Sequence, residues 1–486
     1  MSIEFSKHLV VTETPIPGVL LLDLPVHGDN RGWFKENWQR EKMLALGLPD
    51  FKPVQNNVSF NEKAGTTRGI HAEPWDKFIS VASGKVFGAW VDLREGASFG
   101  TVFTATLDAS QAIYVPRGVG NSFQTLEDNT AYTYLVNAHW SADGQAQYTF
   151  LNLADESAAI EWPIPLSQAQ LSDKDKAHPR LSEVVPMTPL KTLVLGANGQ
   201  LGNALREVYK DDAQVEFAAR SEFDLTSEEA FRSRNWKQYD TLINAAAYTA
   251  VDAAESPDGR RAAWQTNVSG VAKLARLAVE HNLTLVHVSS DYVFDGTKDV
   301  HSEDEEFSPL GVYGQTKAAG DAVVSVVPKH YIVRASWVIG DGNNFVRTMS
   351  RLASAGVKPA VVNDQIGRLT FAEDIAEAIR HLIDSKVEYG TYNLSNGGDP
   401  QSWAEIAATV FELVGRDRED ISGISTEEYF RDKTAARRPL NSVLDLTRIA
   451  ESGFTPYPQD RRLRAMIASR ENVSHVPSDR EMIRPN

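Results

Sequence analysis

The sequence predicts two units of different fold class: an all-β sandwich or barrel, followed by an α/β unit built on a parallel, doubly wound sheet. The chain has 486 residues, enough for two to four domains at roughly 150 residues each. From Gly18 to about Leu153, short runs rich in Val, Phe, Tyr and Thr alternate with Gly, Asp, Asn and Pro turns. After residue 190, apolar strands alternate with helical stretches. Apolar residues therefore recur at every second position in the first part of the chain, whereas strands alternate with helices in the second part.

The change falls in the segment PRLSEVVPMTPLK, whose Pro179, Pro186 and Pro189 interrupt regular structure. We predict a linker there. The predicted divisions are a first unit at 1–182, a linker at 183–190 and a second unit at 191–486.

Composition excludes several classes of function. Asp and Glu total 65 against 49 Lys and Arg, a net charge of −16, and no basic stretch offers a footprint for nucleic acid. The absence of cysteine excludes disulfides, thiolate zinc sites and cysteine nucleophiles. No run approaches the length of about 18 apolar residues that spans a bilayer, and the N-terminus lacks the apolar stretch of a signal peptide. We expect a cytoplasmic protein that binds neither nucleic acid nor membrane.

Individual elements can be placed in both units. In the first, β-branched and aromatic residues predict strands at KFISVASGKVFGAWVDLR, TVFTATL, QAIYVP, AYTYLVNAHW and QYTFLNL. In the second, apolar runs predict buried strands at KTLVLGAN, QVEFAAR, DTLINAAAY, LTLVHVSSDYVF and HYIVRASWVI, and LGNALREVYK is typical of an amphipathic helix.

A nucleotide-binding turn is predicted where strand KTLVL runs into Gly196, Gly199 and Gly202. The first glycine permits a tight turn, the second lets a pyrophosphate approach the backbone, and the third permits close helix packing. The N-terminus of the following helix favours phosphate charge. The alternative is a turn whose glycines serve packing only.

The end of the second strand bears on the choice of coenzyme. Arg220 stands where an acidic ribose anchor is usual, and Asp224 follows it. An arginine there can bind a 2′-phosphate, so NADPH is favoured and NADH is the second choice. A solvated surface arginine is the alternative interpretation.

A proton donor is predicted at Tyr313, because its spacing from Lys317 puts both side chains on one helix face. We expect the ammonium to lower the pKa of the phenol, so that Tyr313 exchanges a proton with a carbonyl oxygen near neutral pH. Ser290 ends a strand at the carboxyl edge of the sheet, where its hydroxyl can share that oxygen. The alternatives are an exposed helix pair and a strand-end serine without a role.

The second half also carries a family resemblance. The runs LGANGQLG, INAAAYTAVDAAE, VSSDYVFDG, VYGQTKAAG, RASWVIG and ARRPLNSVLD, in this order across residues 191–470, resemble the dTDP-4-dehydrorhamnose reductases of the extended short-chain dehydrogenases. This resemblance implies a Rossmann-type domain with a small substrate-binding lobe. It also implies that Tyr313 is the proton donor, that Lys317 binds the nicotinamide ribose, and that Ser290 replaces a usual threonine.

With the glycine turn included, the expected cofactor contacts are Gly196, Gly199, Gln200, Leu201, Gly202, Arg220, Asp224, Leu225, Ala245, Ala246, Ala247, Tyr313 and Lys317. The resemblance places Asp291 and Trp337 near the sugar. Some members of the family bind magnesium through acidic residues at a dimer contact, and the sequence does not identify those acids here.

In the first half, His71 is a candidate base. Strand alternation separates Arg68 and His71 onto opposite faces unless the strand bulges. A lone histidine in a strand acts as a base when a carboxylate holds its far ring nitrogen and an acid lies across the cavity. Asp175 and Tyr134 are candidates for these two roles, but the residues alone do not join them, and a packed or surface histidine is the alternative.

A second resemblance supplies that link. The runs GDNRGWFKENW, FKPVQNNVSF, TTRGIHAEP, GKVFGAWVDLREGASFG, YVPRGVGNSF and LSDKDKAHP, over about residues 15–182, resemble the dTDP-4-dehydrorhamnose 3,5-epimerases, a cupin-like jelly-roll family that needs no metal. It implies that His71 removes the C3 and C5 protons, that Asp175 orients it, and that Tyr134 is the acid on the opposite sugar face. A cation such as Lys77 then stabilises the enolate. The expected substrate contacts are Arg31, Glu36, Gln55, Asn57, Arg68, Lys77, Asn121 and Lys174.

The first half departs from the family pattern at several positions. Asn121 replaces a usual histidine, Ala72-Glu73-Pro74 replaces the usual Tyr or Gln after the catalytic histidine, and His139 with Trp140 replaces a tyrosine pair. These departures leave open a first unit that only binds. We expect no metal site, because His71 lacks the clustered histidines that a metal-binding cupin uses.

Together the resemblances predict a bifunctional enzyme that epimerises dTDP-4-keto-6-deoxy-D-glucose at C3 and C5 and then reduces the C4 ketone with NADPH to dTDP-L-rhamnose. We expect a dTDP-linked keto sugar as substrate and a homodimer, because such epimerases commonly pair. The alternatives are a single-activity nucleotide-sugar enzyme, such as a 4-epimerase or dehydratase that regenerates its nicotinamide, and a non-catalytic regulatory protein.

Overall fold

The computed structural model describes residues 5, 7–140, 147–431 and 435–474. The chain divides into two compact units, Met1–Pro189 and Leu190–Asn486. Over the described ranges, none of the helices combines the length and the apolar character needed to cross a bilayer.

The first unit consists mainly of antiparallel strands. Its strands are β1 Val10–Glu13, β2 Leu20–Asp23, β3 Val26–Asp29, β4 Gly32–Lys35, β5 Gln55–Asn61, β6 Thr67–Ala72, β7 Lys77–Ser83, β8 Val86–Asp92, β9 Val102–Leu107, β10 Gln111–Val115, β11 Val119–Thr125, β12 Thr130–Val136 and β13 Thr149–Phe150. Its α-helices are α1 Arg40–Ala45 and α2 Asp173–Lys176.

Two sheets of this unit pack face to face, with strand orders β1-β2-β10-β7-β12-β5 and β13-β6-β11-β8-β9. Ile79 and Ile113 of one sheet and Trp90 of the other are fully buried in a common core. The alternating sequence pattern produces this core, since every second side chain of a strand faces inward. The predicted all-β, cupin-like architecture is confirmed.

A bulge in β6 settles the orientation of two predicted residues. His71 pairs with Asn121, but Arg68 pairs with Phe123, so three steps along β6 match two steps along β11. Paired residues share a face, and positions 121 and 123 lie on the same face. The bulge therefore brings Arg68 and His71 to one side of the sheet.

The segment predicted as a linker lies partly against the first unit. Met187 is buried, its N–H donates to Leu93 O over 2.8 Å, and its carbonyl accepts from Glu95 N over 3.0 Å. The chain thus remains attached to the first unit almost to Pro189.

The second unit alternates strands and helices. Its strands are β14 Lys191–Leu195, β15 Val215–Ala218, β16 Tyr239–Asn244, β17 Thr284–Ser290, β18 His330–Ala335, β19 Val338–Ile339, β20 Ala360–Val362, β21 Ile366–Gly367, β22 Thr370–Phe371, β23 Gly390–Leu394, β24 Gln401–Ser402 and β25 Ser422–Ile424. Its α-helices are α3 Gln200–Val208, α4 Glu228–Arg232, α5 Pro257–Trp264, α6 Val271–Glu280, α7 Val312–Val324, α8 Phe345–Ser354, α9 Ala372–Asp384, α10 Trp403–Leu413, α11 Thr426–Phe430, α12 Thr447–Glu451 and α13 Gln459–Ser474.

The main sheet of this unit is parallel, in the order β15-β14-β16-β17-β18-β23. One face packs on α3 and α9 through Leu205 and Ile379, and the other packs on α6 through Leu274. From β14 the chain adds β15 on one side and then returns to add β16 on the other. This change in the order of strands places a crevice at the carboxyl ends of β14 and β16. The predicted doubly wound, Rossmann-type sheet is confirmed.

A smaller core lies apart from this sheet. It is formed by α8, α10, α13 and the short strands β19, β20 and β22, with Val346, Ile406 and Phe411 buried in it. These elements form a small lobe beside the parallel sheet, as the resemblance to the reductases implies.

Candidate active sites

A cleft of about 760 Å³ opens at the carboxyl edge of the parallel sheet. At its base Gly196 follows β14 with a φ of 80°, and a Cβ atom there would lie 2.7 Å from Ala246 N. A Cβ on Gly202 would lie 2.3 Å from Gly196 O, so α3 packs directly on the turn. Gly199 is the N-cap of α3 and lines the cleft. Side chains are thus excluded where a pyrophosphate must approach backbone amides, and the turn fits a dinucleotide.

Most of the residues predicted for the second unit line this cleft. They are Gly196, Gly199, Gln200, Leu201, Arg220, Asp224, Leu225, Ala245, Ala246, Ala247, Ser290, Asp291, Tyr313, Lys317 and Trp337. Gly202 lies behind the turn and serves helix packing.

At the cleft edge, the Arg220 side chain is 83% exposed and its Nε donates to Asp224 Oδ2 over 3.2 Å. Asp224 also accepts from the N–H and the hydroxyl of Thr226, each over 2.8 Å. Burial alone would raise the pKa of Asp224, but the Thr226 and Arg220 hydrogen bonds outweigh it and hold the pKa below 3.8. The Arg220 guanidinium is therefore available at the surface beside an ionised carboxylate.

The polar end of the cleft brings β17 and α7 together. Ser290 Oγ donates to Asp291 Oδ1 over 2.8 Å, and Lys317 Nζ donates to Val288 O over the same distance. The ring of Tyr313 meets that of Tyr292 edge to face at 5.7 Å. The structure thus gathers the predicted serine, tyrosine and lysine on one wall.

The pKa values at this wall correct one expectation. Burial, followed by the nearby charge of Asp291, raises the pKa of Tyr313, although a hydrogen bond with Ser290 opposes the shift. The expectation of a lowered pKa for Tyr313 is wrong, because burial and Asp291 dominate the shift, and Lys317, which is itself buried, points to Val288 O and has its pKa lowered to about 8, is not among its causes. Burial also raises the pKa of Asp291 to about 6.

Sequence reasoning missed residues that support this wall. Asn267, in the π-helical turn Gln265–Gly270, accepts from Tyr248 N over 2.8 Å and donates to Thr316 Oγ1 over 3.0 Å. It thereby ties a cleft-lining loop to α7. Trp337 stacks on Trp403 at 3.8 Å. No periodicity in the sequence marks these contacts, because the partners are far apart along the chain.

In the first unit, His71 and Asp175 meet. His71 Nε2 lies 3.0 Å from Asp175 Oδ1, and the His71 side chain is 33% exposed. Asp175 stands in α2, where its N–H donates to the capping hydroxyl of Ser172. Burial alone would raise the pKa of Asp175, but the hydrogen bonds from His71 and Ser172 lower it overall. The Asp175 carboxylate is therefore ionised at neutral pH and accepts a hydrogen bond from the N–H at Nε2 of His71.

A second histidine joins this pair and was missed. His178 Nε2 lies 3.9 Å from Asp175 Oδ1, and the rings of His71 and His178 are 5.3 Å apart. The reasoning that His71 lacks a clustered histidine is therefore wrong. The short run DKDKAH carries both partners, three residues apart, and is the signal that could have revealed them.

The opposite sheet contributes Tyr134 and Lys77. Lys77 Nζ lies 5.7 Å from the centre of the Tyr134 ring, and Lys77 forms an ion pair with Glu73. Burial lowers the pKa of Lys77 to about 7. Burial raises the pKa of Tyr134, although the charge of Arg68 opposes the shift. The phenol is therefore protonated at neutral pH.

Asn121, which departs from the family pattern, is held in place by two donors. Its Oδ1 accepts from Trp90 Nε1 over 2.9 Å and from Tyr132 OH over 3.0 Å. The amide is thereby fixed beside His71, its partner across the β6–β11 ladder.

The remaining predicted contacts fall into two groups. Gln55 Nε2 donates to Asn57 Oδ1 over 2.8 Å, Arg68 Nε donates to Asn61 Oδ1 over 3.2 Å, and Lys174 Nζ lies 5.9 Å over the Phe150 ring. Arg31 lies in the β3–β4 hairpin and Glu36 just after it, where they pair with Asp29 and Lys42, respectively. In the described part of the chain, the ion pairs of Arg31 and Glu36 are formed with residues outside the predicted substrate-binding set.

Comparisons with known proteins match each unit separately. Residues 13–183 match the family profile of dTDP-4-dehydrorhamnose 3,5-epimerase, and residues 190–472 match the RmlD substrate binding domain. A protein RmlC homolog of Streptococcus pyogenes is 53% identical over 191 residues, which are 38% of this chain and 96% of that protein. The dTDP-4-dehydrorhamnose reductase of Aggregatibacter actinomycetemcomitans is 38% identical over 299 residues, 58% of this chain and 99% of that protein.

A solved structure gives the same result for the second unit. The Bacillus anthracis dTDP-4-dehydrorhamnose reductase in complex with NADP is 31% identical, with a TM-score of 0.54, over 58% of this chain and 99% of that one.

Proposed function

The chain belongs to the dTDP-4-dehydrorhamnose 3,5-epimerase family in its first unit and to the dTDP-4-dehydrorhamnose reductase family in its second, and on this premise we propose which residues carry each reaction. The protein is a bifunctional isomerase and NADPH-dependent oxidoreductase of dTDP-L-rhamnose biosynthesis. One observation supports the assignment of sites: each unit presents a partly buried acid–base pair, His71–Asp175 in the first unit and Tyr313–Lys317 beside the glycine turn in the second.

In the epimerase, His71 is the base. Asp175 is ionised and accepts from Nε2, so the neutral ring carries its proton there and leaves the Nδ1 lone pair free. Nδ1 removes the proton at C3 or C5, because the adjacent C4 ketone takes up the charge as an enolate. Tyr134, protonated by virtue of its raised pKa, returns a proton to the carbon from the opposite sheet. Lys77, which pairs with Glu73, stabilises the enolate.

The contacts of the dTDP-sugar follow from the same arrangement. Arg68 faces the His71 side of the sheet because of the bulge, so its guanidinium suits the pyrophosphate. Gln55, Asn57, Asn121 and Lys174 complete the binding surface.

In the reductase, NADPH when bound supplies the hydride that reaches C4. Gly196 and Gly199 leave room for its pyrophosphate, and the exposed guanidinium of Arg220 suits a 2′-phosphate. Tyr313 gives its proton to the oxygen at C4. A donor must begin protonated, so the raised pKa of Tyr313 serves reduction, and the nascent alkoxide is basic enough to take the proton. Ser290 hydrogen-bonds the same oxygen, and the Lys317 ammonium orients the nicotinamide ribose.

We also infer a homodimer formed through the first unit. Phe34 on β4 and Val58 and Phe60 on β5 are 66%, 66% and 58% exposed. β5 is an edge strand of its sheet among the described strands, and an exposed apolar edge favours pairing with a second copy. Arg31 lies in the β3–β4 hairpin that carries Phe34, and Glu36 directly follows it.

The functional assignment is tested with the full chain in heavy water, supplied with the 4-keto sugar and NADPH. His71→Asn should abolish deuterium incorporation at C3 and C5, yet leave NADPH oxidation intact when pre-epimerised sugar is supplied. Tyr313→Phe should do the reverse, so each variant is the folding control for the other. Persistent deuterium exchange in His71→Asn would exclude His71 as the base. Turnover without net NADPH consumption would indicate an enzyme that regenerates its nicotinamide.

A further inference from the structure

The base site of the first unit holds three metal-ligating side chains. One ligand atom each of His71, Asp175 and His178 lies within 4.8 Å of the other two. Within the ranges that the structure describes, this is the one cluster of at least three His, Asp or Glu side chains with such proximity. The proposed epimerase chemistry uses His71 and Asp175 and gives His178 no role.

His178 is buried beside Asp175. It is 9% exposed, and Phe150 stacks on its ring at 4.6 Å, which fixes the ring plane. A backbone hydrogen bond at Leu151 acts on the ring, whereas Nε2 lies 3.9 Å from Asp175 Oδ1, beyond hydrogen-bonding distance, and has no hydrogen-bond partner in the described structure. A ligand at this Nε2 would recover the desolvation cost of the unpaired nitrogen.

We propose that His71, Asp175 and His178 bind a single zinc ion that switches off the epimerase half. Two imidazoles and one carboxylate are a ligand set that zinc accepts, with water in the fourth position. Tetrahedral zinc places its nitrogen and oxygen ligands about 3.3 Å apart. The Nε2 of His71 already lies 3.0 Å from Asp175 Oδ1, and the Nε2 of His178 lies 3.9 Å from the same oxygen. The three ligand atoms all lie within 4.8 Å of one another, so closure needs shifts of at most about 1.5 Å.

Inhibition follows from the tautomer of His71. In the metal-free site the ring proton sits on Nε2, facing Asp175, and Nδ1 is the free base. When zinc takes the Nε2 lone pair, the single ring proton moves to Nδ1, which can then accept no proton from C3 or C5. This consequence rests on the proposed role of His71 as base, whereas zinc binding itself does not.

The test uses full-length, tag-free protein stripped of metal with EDTA. Equilibrium dialysis against zinc should give one tightly bound ion per chain, and X-ray absorption should show two imidazole ligands. His178→Gln should weaken binding at least about tenfold, whereas the matched variant His8→Gln, which alters an exposed histidine of the same unit, should leave it unchanged.

Activity provides the second readout. Zinc should suppress deuterium incorporation into the keto sugar, with recovery on adding EDTA, while NADPH oxidation with pre-epimerised sugar continues in the same sample. His178→Gln should need at least about tenfold more zinc for half-inhibition, measured against its own metal-free rate. If His178→Gln does not fold, the imidazole count of the wild-type absorption spectrum decides.

The outcomes separate the two proposals. An active epimerase that binds no zinc, or binds it equally well as His178→Gln, overturns the zinc site. Zinc binding with two imidazoles but undiminished exchange overturns the inhibitory mechanism. An enzyme that exchanges no deuterium even when metal-free overturns the proposed function of the first unit and leaves the binding measurement as the test of the site.

Discussion

Replacing Asp291 with asparagine should stabilise the second unit at neutral pH, because the native carboxylate is a buried charge. Asp291 is 3% exposed, and Ser290 Oγ donates to its Oδ1. Burial raises its pKa from 3.8 to about 6, although hydrogen bonds from Ser442 and Ser290 favour the ionised form. The hydrogen bonds thus offset only part of the desolvation cost.

The sign and size of the effect follow from linkage. The folded pKa lies above the unfolded one, so the folded state binds the proton more tightly and loses stability as pH rises from about 4 to about 6. One pKa unit corresponds to about 1.4 kcal/mol, so the full cost above pH 6 is about 3 kcal/mol. Asparagine keeps an acceptor for Ser290 but does not titrate. Between pH 4.5 and pH 7.5, the stability of Asp291→Asn relative to wild type should therefore rise by about 2 kcal/mol.

Urea unfolding at the two pH values measures this difference. The transition of the second unit is identified as the one whose midpoint NADPH raises. Asp295→Asn is the matched control with the opposite sign, because hydrogen bonds from Thr297 lower the pKa of Asp295 and its charge is stabilising. A stability difference for Asp291→Asn that does not change with pH, or that has the same sign as that for Asp295→Asn, would refute the account based on burial.

Two further predictions concern the reductase. With pre-epimerised sugar, the rate of reduction should fall as pH rises through about 8, where Lys317 loses its charge. Lys317→Arg should remove this alkaline decline. A decline that is unchanged in the variant would assign the titration to another group. Arg220→Ala should raise the KM for NADPH by at least about tenfold, because a charge-assisted hydrogen bond to the 2′-phosphate is lost, and should change the KM for NADH little. Equal effects on the KM values of the two coenzymes would show that Arg220 does not bind the 2′-phosphate. Arg232→Ala is the control, because it removes the same charge from an exposed position outside the cleft.

Local patterns were sufficient for the fold because they report burial directly. The alternating runs from Lys77 to Asp92 form β7 and β8, one strand in each of the two facing sheets, and the KTLVL run forms β14, an inner strand of the parallel sheet. The predicted strand QYTFLNL is reduced to Thr149–Phe150. Beyond it, Asn152 N donates to Pro179 O instead of to a neighbouring strand, so the chain leaves the ladder. Such a tertiary hydrogen bond has no signature in the periodicity of a single segment.

The sites were predicted less completely, and the reasons are specific. Glycine spacing and Y-x-x-x-K spacing are local, so the turn and the Tyr313–Lys317 pair could be located before the structure. The pKa of Tyr313 depends on burial and on Asp291, which lies 22 positions earlier in the chain. The orientation of Arg68 depends on a bulge that alternation cannot reveal. Both are consequences of tertiary packing, which a sequence pattern does not encode residue by residue.

The two units, although their folds are unrelated, use burial to prepare the same pair of groups for a keto sugar. Tyr134 and Tyr313 both have raised pKa values, so each phenol begins protonated, as an acid for a carbanion or an alkoxide must. Lys77 and Lys317 both have pKa values lowered by burial, to about 7 and about 8. Lys77 therefore loses its charge around neutral pH and Lys317 about one pH unit above it, where an exposed lysine would keep its charge. Because the same desolvation acts in both units, epimerisation and reduction should decline over adjoining pH ranges, epimerisation first. Supply of the epimerised intermediate then falls before its consumption does, so the intermediate should accumulate less as pH rises from about 7 to about 8.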